Sequence, residues 1–358
     1  MSQGNLRVAV AGATGYAGAE LLRLLQSHPE VGHLRALARS ETGKTVAELF
    51  PSFPGERGAG ALVLEPLGEP EAVAADLAGE CDLVFLALPH ATSAALAAPL
   101  HAAGLKVIDL SADFRLRDPD VYAGWYGEHP CPELIPEAVY GLPERYREAL
   151  KEATLIAAPG CYPTATLLSI LPLLEAGLVD GGIIADCKSG TSGAGRSPKV
   201  GTLLSEAGEQ ISAYGIAAHR HEPEIAQEAG HAAGHAIRVT FTPHLVPMSR
   251  GILATVYLGT TEEAPEDEEG LRALYREHYR DEPFVEVLPA GRFPGTGSVR
   301  GSNRCAIGVT RHPRSGQVIA VSAIDNLIKG AAGQAIQCMN LCCGLPETAG
   351  LTPMGLLP

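Results

Sequence analysis

The chain has 358 residues and a formal net charge of −14 at pH 7. A single hydrophobic core stops growing at about 250 to 300 residues, so this length predicts two domains. The acidic balance argues against a nucleic-acid or anionic-membrane surface, because such surfaces need an excess of basic residues. The eight cysteines include no Cys-x-x-Cys pair, and the first residues lack the pattern of a signal peptide, so we expect a cytoplasmic protein without a membrane span.

The first 150 residues alternate predicted strands with predicted helices. The strands cover residues 6–11, 34–38, 82–87 and 106–109, and the helices cover residues 18–26 and 92–103. Such alternation is typical of a parallel, doubly wound sheet. We therefore predict an α/β fold with a Rossmann-type nucleotide-binding domain over residues 1–150.

Beyond residue 150 fewer helices separate the strands. Predicted strands cover residues 183–187, 237–241, 251–258, 305–310 and 318–323. This pattern predicts a mostly antiparallel or mixed sheet, in an α+β domain over residues 151–327. An Ala-rich helix at residues 330–341 is expected to return to the first domain, which residues from about 328 to 358 would complete.

Cys161 is the strongest candidate for a catalytic side chain. It follows the apolar run 155–158 and Pro159-Gly160, and a helical pattern of leucines runs from Thr164 to Ala176. The positive end of that helix would favour a thiolate, and Gly160 would let a substrate approach the backbone closely. The alternative is a buried structural cysteine, but the succession of strand, glycine, cysteine and helix favours a nucleophile.

A glycine-rich turn follows the first predicted strand, as expected of a dinucleotide site. The residues expected to contact the cofactor are Gly12, Thr14, Gly15, Tyr16, Ala17 and Gly18. Glycines there allow the turn and seat a pyrophosphate on the helix N-terminus, although a plain strand-helix turn shares the pattern. About twenty residues on, where an acidic residue marks NAD use, the chain has Arg39 and Ser40, which favour NADP(H) unless Arg39 is simply solvated.

Leu88, Pro89 and His90 end the next strand, at the sheet edge where ligands lie in such folds. We expect Leu88 and Pro89 to contact the cofactor, while His90 either contacts it or caps the following helix. Ser111 and Arg115 follow another strand, and both are candidates for substrate binding. Arg115 is placed to bind a substrate anion or to pair with Asp113 or Asp118.

Two segments of the second domain carry further polar groups. Residues 188–196 form a Gly/Ser-rich loop after a strand, which either closes over the nicotinamide, supplies N–H donors through residues such as Ser189 and Gly190, or is a flexible hairpin. Arg196 and Arg250 are additional candidates for the substrate anion.

His219 and His221 stand two residues apart with an arginine between them. A cysteine nucleophile usually needs a group that exchanges protons near neutral pH, and histidine does so without a large pKa shift. The pattern alone leaves the choice between the two imidazoles open. A zinc site would need a third ligand that the sequence does not identify, so we expect no metal.

Together these motifs resemble the N-acetyl-γ-glutamyl-phosphate reductase family of arginine biosynthesis. The resemblance covers nearly the whole chain and rests on the segments GATGYAG, LALPH, LSADFRL, WYGEHP, PGCYPT, KSGTSGAGR, HRHEPEI, FTPHLVPMSRGILAT, VRGSN and DNLIKGAAGQA. The most specific are PGCYPT and HRH. One departure is Glu222, where relatives often have Thr.

The resemblance implies the fold of the semialdehyde dehydrogenase group, with an N-terminal NADP-binding domain and a catalytic and dimerisation domain. It implies reduction of an acyl phosphate by NADPH through a thioester on Cys161, with a histidine of the HRH segment as acid/base and the nicotinamide near Asn326. It is also typical of a homo-oligomer, a dimer or a tetramer.

Two other functions remain open at this point. One is reduction of a carrier-protein-linked aminoadipyl phosphate in lysine biosynthesis, although similar enzymes tend to have Asn-Ala where Tyr162-Pro163 follows the cysteine here. The other is an NADP(H) sensor without turnover.

Overall fold

The computed structural model describes residues 4–55 and 57–357, which form two compact units. The first unit extends to Pro159 and includes Ala331–Leu351, and the second contains Gly160–Gly330 together with the residues from Thr352 onward. Each unit contains one seven-stranded sheet.

The first unit is a parallel sheet with helices between its strands. Its strands are β1 (Leu6–Ala11), β2 (Val31–Ala38), β3 (Glu65–Pro66), β4 (Leu83–Leu86), β5 (Lys106–Asp109), β6 (Val139–Tyr140) and β7 (Leu155–Ala157). The helices are α1 (Tyr16–Leu25), α2 (Val46–Leu49), α3 (Pro70–Leu77), α4 (Thr92–Ala102), α5 (Pro119–Tyr126) and α6 (Pro143–Glu152). All neighbouring strands run parallel, in the order β3-β2-β1-β4-β5-β7-β6. The predicted doubly wound sheet is confirmed.

The strand order places a crevice for ligands at the centre of this sheet. The chain builds β1, β2 and β3 in one direction and then returns to add β4 on the other side of β1. In such sheets ligands bind outside the carboxyl ends of the strands where the direction reverses. β4 is buried along its whole length, which explains its continuous apolar sequence.

The second unit is a mixed sheet. Its strands are β8 (Val179–Ser189), β9 (Ser212–Ala213), β10 (Val239–Leu245), β11 (Ile252–Thr260), β12 (Val285–Val287), β13 (Cys305–Arg311) and β14 (Val318–Ile324). The helices are α7 (Cys161–Glu175), α8 (Leu204–Ala207), α9 (Glu222–Ala233) and α10 (Glu268–His278). The order is β12-β13-β14-β11-β8-β10-β9, with β8–β10 and β12–β13 parallel and the other pairs antiparallel. This agrees with the predicted mixed sheet.

α7 is the central helix of the second unit. It is apolar around its circumference and buried from Tyr162 to Leu174, as expected of a helix enclosed on all sides. It packs against β11, β14 and α9. The first residue of this rigid element is Cys161.

The end of the chain is divided between the units. A π-helical turn, Ile328–Ala332, precedes α11 (Gly333–Cys342), which packs against α1 and α6. The return of this helix to the first unit was predicted, but the assignment of everything up to residue 358 was not correct. The residues from Thr352 onward belong to the second unit, where the N–H of Asn303 donates to the carbonyl of Thr352 at 2.9 Å.

Among the described residues no helix combines the length and hydropathy needed to cross a membrane.

Candidate active site

Cys161 is the first residue of α7. Gly160 is the N-cap in an extended conformation, and its carbonyl accepts the first helical hydrogen bond, from the N–H of Thr164 at 2.9 Å. The sequence predicted that the helix begins at Thr164. It begins three residues earlier because Pro163 fits the first turn, where an N–H would have no helical acceptor. The thiol therefore stands within the positive end of the helix rather than facing it.

A buried carboxylate fixes the N-cap of this helix. Glu224 on α9 is 2% exposed, and its Oε1 accepts a hydrogen bond from the N–H of Gly160 at 2.8 Å. This contact ties the start of α7 to α9 and so determines where the backbone on either side of Cys161 lies. Sequence reasoning did not find Glu224, although it belongs to the HRHEPEI segment, because no local pattern shows a contact across 64 residues.

A glycine of the π-helical turn packs directly on Cys161. A Cβ added to Gly330 would lie 2.7 Å from the Cβ of Cys161, closer than real carbon atoms approach. Gly330 is held in place by its own N–H, which donates to the carbonyl of Asp325 at 3.0 Å. π-helical turns are rare and often occur at functional sites. Here the turn provides the wall against which the cysteine rests.

His219 lies in an aromatic cage formed by three rings. Its imidazole contacts Phe241 at 5.2 Å, Tyr214 at 5.5 Å and Tyr162 at 5.6 Å between ring centroids. This burial, together with the positive charge of Arg220, lowers the pKa of His219 to about 4. The side chain is therefore neutral at pH 7.

One hydrogen bond assigns the tautomer of this neutral imidazole. The backbone N–H of His221 donates to Nδ1 of His219 at 3.1 Å. Nδ1 therefore carries no proton, and the single ring proton resides on Nε2. In this state His219 presents an N–H donor at Nε2, as neutral catalytic histidines do in other enzymes.

His221 and Glu222 support the site from the start of α9. His221 is the N-cap of α9, and its ring lies 4.9 Å from that of His219. Glu222, the departure from the usual Thr, accepts a hydrogen bond from the N–H of Phe241 at 3.3 Å and so connects α9 to β10. The two histidines thus lie together, with the N–H of His221 bound to the ring of His219, and the choice of acid/base between them stays a prediction.

The Gly/Ser-rich loop is bound to the turn between β10 and β11. The N–H groups of Gly190, Thr191 and Ser192 donate to the carbonyls of Gly251, Met248 and Ser249 at 2.9 to 3.1 Å. These three N–H groups thus donate to carbonyls of the protein itself, which does not favour the prediction that they donate to a ligand. Ser189 is buried at the end of β8, and its hydroxyl donates to the carbonyl of Gly190.

Asn326 joins the same group of residues. Its Oδ1 accepts from the N–H of Gly251 at 2.7 Å, and its Nδ2 donates to the Ser192 hydroxyl at 3.0 Å. Among the arginines predicted for this unit, Arg250 is 30% exposed and lies 3.6 Å from Asp325. Arg196 is exposed at the end of the Gly/Ser-rich loop.

In the first unit, two glycines of the glycine-rich turn pack closely against backbone atoms. Gly12 has φ +91°, and a Cβ on it would lie 2.3 Å from the carbonyl oxygen of Ala87. A Cβ on Gly18 would lie 2.2 Å from the carbonyl oxygen of Gly12. Gly15 is the N-cap of α1, so the N-terminus of that helix opens at the carboxyl end of β1. Thr14 and Ala17 are partly buried here, and Tyr16 is exposed.

A cleft lies beside this turn. It has a volume of about 630 Å³ and is lined by residues that include Arg39, Glu69, Leu88 and Thr92. Arg39 and Ser40 are exposed directly after β2. Pro89 is exposed beside Leu88, and its carbonyl accepts from the N–H of Ser93 at 3.1 Å. Of the residues predicted to contact a cofactor, Arg39 and Leu88 line this cleft.

His90 takes part in the entry to α4. Its carbonyl accepts from the N–H of Thr92 at 2.7 Å, and its ring packs against Tyr126 at 4.9 Å. The carboxylate of Asp113 accepts from the N–H groups of Ala91 and Ala94 at 3.0 and 2.8 Å. The N-cap of α4 is Ala91 and not His90, and contact of His90 with the cofactor stays a prediction.

Ser111 and Arg115 are largely buried in the first unit. The Ser111 hydroxyl donates to Asp109 at 2.7 Å, so Ser111 has a structural role and its contact with a substrate stays a prediction without support. Arg115 is 7% exposed and donates to the carbonyls of Ala158 and Leu110, both at 2.7 Å. These contacts anchor its guanidinium to the backbone that leads to Cys161.

Comparison with known proteins shows the family. A model described as "Semialdehyde dehydrogenase, NAD binding domain" matches residues 7–153, and one described as "Semialdehyde dehydrogenase, dimerisation domain" matches residues 161–326. The N-acetyl-gamma-glutamyl-phosphate reductase of Azotobacter vinelandii is 52% identical over 99% of this chain and 100% of its own length. The protein of the same name from Pseudomonas savastanoi pv. phaseolicola is 51% identical with the same coverage. The chain belongs to the N-acetyl-γ-glutamyl-phosphate reductase family.

Solved structures extend the family relationship at the level of the fold. An aspartate semialdehyde dehydrogenase II from Vibrio cholerae, complexed with ASA, has a TM-score of 0.70 at 20% identity, covering 95% of this chain and 98% of its own. The aspartate semialdehyde dehydrogenase of Candida albicans, with NADP, has a TM-score of 0.64 at 16% identity, covering 94% and 98%. The predicted semialdehyde dehydrogenase fold is therefore confirmed.

Membership of the reductase family confirms the resemblance drawn from the sequence. The residues that sequence reasoning missed in this family member are those that act through a neighbour. They are Glu224 and Gly330 beside Cys161, Asp325 beside Arg250, and the aromatic cage of His219. Most of them lie within motifs that were noted for other residues, whereas Tyr214 lies outside every motif noted.

Proposed function

We propose that this chain reduces N-acetyl-L-glutamyl 5-phosphate with NADPH to N-acetyl-L-glutamate 5-semialdehyde and phosphate, in arginine biosynthesis. The observation that carries the proposal is the position of Cys161 as the first residue of α7, with its N-cap held by Glu224 and its side chain against Gly330. The identity of 52% with a reductase of that name over the full length supports the same substrate.

The residues of the first unit fit NADP(H). At Gly12 and Gly18 a side chain would collide with the backbone of Ala87 and Gly12, so only glycine fits this tight turn. We assign the turn from Gly12 to Gly18 to the pyrophosphate, Arg39 and Ser40 to the 2′-phosphate, and Leu88 with Pro89 to the wall of the site. When bound, NADPH supplies the hydride that reduces the acyl enzyme. Contacts of Ser189, Gly190 and Asn326 with the nicotinamide stay predictions.

The first half of the reaction forms a thioester. The Cys161 thiolate attacks the carbonyl carbon of the acyl phosphate, and the N–H groups in the first turn of α7 stabilise the oxyanion that develops. The C–O bond to phosphate then breaks, and the phosphate leaves with the bonding electrons and takes up the one proton that the overall reaction consumes. Arg250, Arg115 and Arg196 are the cations available to assist its departure.

The second half of the reaction returns the thiolate. Reduction of the thioester carbon gives a thiohemiacetal oxyanion, whose collapse breaks the C–S bond, forms the aldehyde and releases Cys161 as thiolate. These steps need no net proton. We therefore assign His219 a role as hydrogen-bond donor to the oxyanion through Nε2, in place of the proton exchange expected from the sequence. His221 holds the tautomer through its backbone N–H.

The two units divide the work in this proposal. We assign cofactor binding to the first unit and catalysis with oligomerisation to the second, which a dimerisation-domain model matches. The protein is then a homo-oligomer, a dimer or a tetramer, of the cytoplasm.

The test is an assay in the reverse direction. Purified protein is given N-acetylglutamate semialdehyde, NADP and phosphate, and NADPH formation is followed by its absorbance. We expect turnover that requires both phosphate and Cys161, with Cys161→Ser as the control. Preference for a carrier-protein-linked aminoadipate semialdehyde would indicate the lysine enzyme instead. Binding of NADPH without turnover of either aldehyde would indicate a sensor.

A further inference from the structure

The turn that bears Arg250 is fixed from two sides within the second unit. Residues 248–251 connect β10 and β11, and their carbonyls accept three hydrogen bonds from the Gly/Ser-rich loop. On the other side, Oδ1 of Asn326 accepts from the N–H of Gly251 at 2.7 Å. The backbone that carries Arg250 therefore has little freedom, while the guanidinium remains 30% exposed and reachable from solvent.

Asp325 is a fully buried carboxylate directly after β14. Its Oδ1 accepts from the N–H groups of Leu327 and Ile328 at 2.9 and 3.3 Å, and its Oδ2 accepts from the N–H of Gly301 at 2.8 Å. Three backbone donors thus stabilise the negative charge and hold the carboxylate in one orientation. Both carboxylate oxygens of Asp325 thus accept from backbone N–H groups.

The fixed carboxylate lies beside the exposed guanidinium. Oδ2 of Asp325 is 3.6 Å from Nη1 of Arg250, within range of an ion pair but beyond a normal hydrogen bond. An ion pair of this kind orients the guanidinium of Arg250 without forming a bidentate hydrogen bond to it. Asp325 and Asn326 therefore act on the same turn, one on the side chain of Arg250 and the other on the backbone that follows it.

The same segment reaches the nucleophile. The carbonyl of Asp325 accepts from the N–H of Gly330 at 3.0 Å, and Gly330 packs against Cys161. One short stretch of chain thus contacts both the cation and the cysteine. The other candidate cations do not share this arrangement, because Arg196 is exposed in a loop and Arg115 donates to two backbone carbonyls in the other unit.

We propose that Asp325 is a positioning residue that orients Arg250 to bind the phosphate of the acyl phosphate substrate. This rests on the proposed function, since it concerns the phosphate that the reaction releases. Asp325 acts only through Arg250, and Arg250 is the group that contacts the phosphate.

The experiment is a double-mutant cycle read in the reverse direction. Wild type, Asp325→Asn, Arg250→Ala and the double variant are compared for the KM of phosphate, the KM of the semialdehyde and kcat. Asn keeps an oxygen that can accept from Leu327 and Ile328 while it removes the charge. We expect Asp325→Asn to raise the phosphate KM by on the order of 10-fold, as loss of a supporting partner does, with the semialdehyde KM unchanged.

The decisive comparison is made in the Arg250→Ala background. In that background Asp325→Asn should not raise the phosphate KM further, because the Arg250 side chain through which Asp325 acts is absent. The proposal is overturned if Asp325→Asn raises the phosphate KM by the same factor in the Arg250→Ala background as in the wild type. It is also overturned if Asp325→Asn alone leaves the phosphate KM unchanged. Asp325→Ser, whose hydroxyl can still accept from Leu327, replaces Asn if that variant does not fold. Wild type without phosphate-dependent turnover would instead refute the proposed function itself.

Discussion

The N–H of Gly160 donates to the carboxylate of Glu224 across 2.8 Å, and Gly160 is the N-cap of the helix that begins with Cys161. The backbone that precedes Cys161, the proposed nucleophile, is therefore held by a buried acid 64 residues from Gly160 in the chain. The position of Cys161 depends on the packing of α7 against α9 and not only on the local turn.

Replacing Glu224 with Ala should leave the Gly160 N–H without this acceptor and let the start of α7 shift. A displacement of about 1 Å at a reacting group costs about 100-fold in rate, so kcat should fall toward that extent. The free energy of unfolding should fall by about 1 to 3 kcal/mol, as for other buried groups that lose a partner. Glu224→Gln, which keeps the acceptor oxygen, should retain most of the activity. Steady-state kinetics and urea unfolding measure both effects.

Glu228 provides a matched control on the same helix. It is also buried, and its Oε1 accepts from the side chain of Gln227 at 2.9 Å, whereas Glu224 accepts from the backbone N–H of Gly160. Glu228→Ala should lower stability comparably and leave kcat close to that of the wild type. A similar loss of kcat in both variants would mean that Glu224 acts through general stability only.

The tautomer of His219 predicts an order among its substitutions. If Nε2 donates to the oxyanion, His219→Ala should lower kcat by about 100- to 1,000-fold, the usual cost of one oxyanion donor. Asn also carries an N–H donor, so His219→Asn should retain measurably more activity than His219→Ala. Single-turnover rates of thioester reduction provide the comparison. Equal loss in the two variants would favour proton transfer by the imidazole over hydrogen-bond donation.

The lowered pKa of His219 predicts how the protein responds to pH. Burial and the charge of Arg220 lower this pKa from 6.5 to about 4, so the unfolded chain takes up a proton at this residue before the folded protein does. Stability that depends on neutral His219 should therefore decline as the pH falls from 6.5 toward 4. Arg220→Gln removes the nearby positive charge and should raise the pKa. NMR titration of the His219 ring, identified by its absence in His219→Asn, measures the shift, and a pKa unchanged by the substitution would exclude Arg220 as a cause.

Cofactor choice should depend on Arg39. One charge-assisted hydrogen bond to the 2′-phosphate is worth roughly 1.5 to 3 kcal/mol, so Arg39→Ala should weaken NADPH binding by about 10- to 150-fold and leave NADH almost unaffected. Arg39→Lys keeps the charge and should lose less. Titration of each protein with both nucleotides separates the cases. Equal weakening of NADH would indicate that Arg39 supports the cleft rather than reads the 2′-phosphate.

The sequence was sufficient for features that depend on short-range patterns. Alternating apolar runs and helical periodicity predicted both sheets, and the Gly-Cys junction predicted the start of a helix near Cys161. The starting residue was placed three positions too late, because leucine periodicity marks the buried face of α7 and not its first turn. The final residues were assigned to the wrong unit because their pairing with Arg300 and Asn303 leaves no periodic signal.

Features built from distant contacts could not be predicted in this way. The capping of Gly160 by Glu224 and the contact of Gly330 with Cys161 join segments far apart in the chain. The pKa of His219 depends on burial among three aromatic rings from different parts of the chain and on the charge of Arg220, and its tautomer depends on the N–H of His221. The roles proposed for Cys161 and His219 rest on these contacts.

Acylation of Cys161 in the absence of NADPH is the most direct test of covalent catalysis by this residue. The protein is mixed with N-acetylglutamyl phosphate alone, the released phosphate is measured at early times, and the chain is then digested and analysed by mass spectrometry. We expect a burst of one phosphate per active chain and an acyl group on the peptide that contains Cys161. The Cys161→Ser variant should show neither the burst nor the acylated peptide. Turnover with NADPH but no burst and no acylated Cys161 would contradict covalent catalysis by this residue.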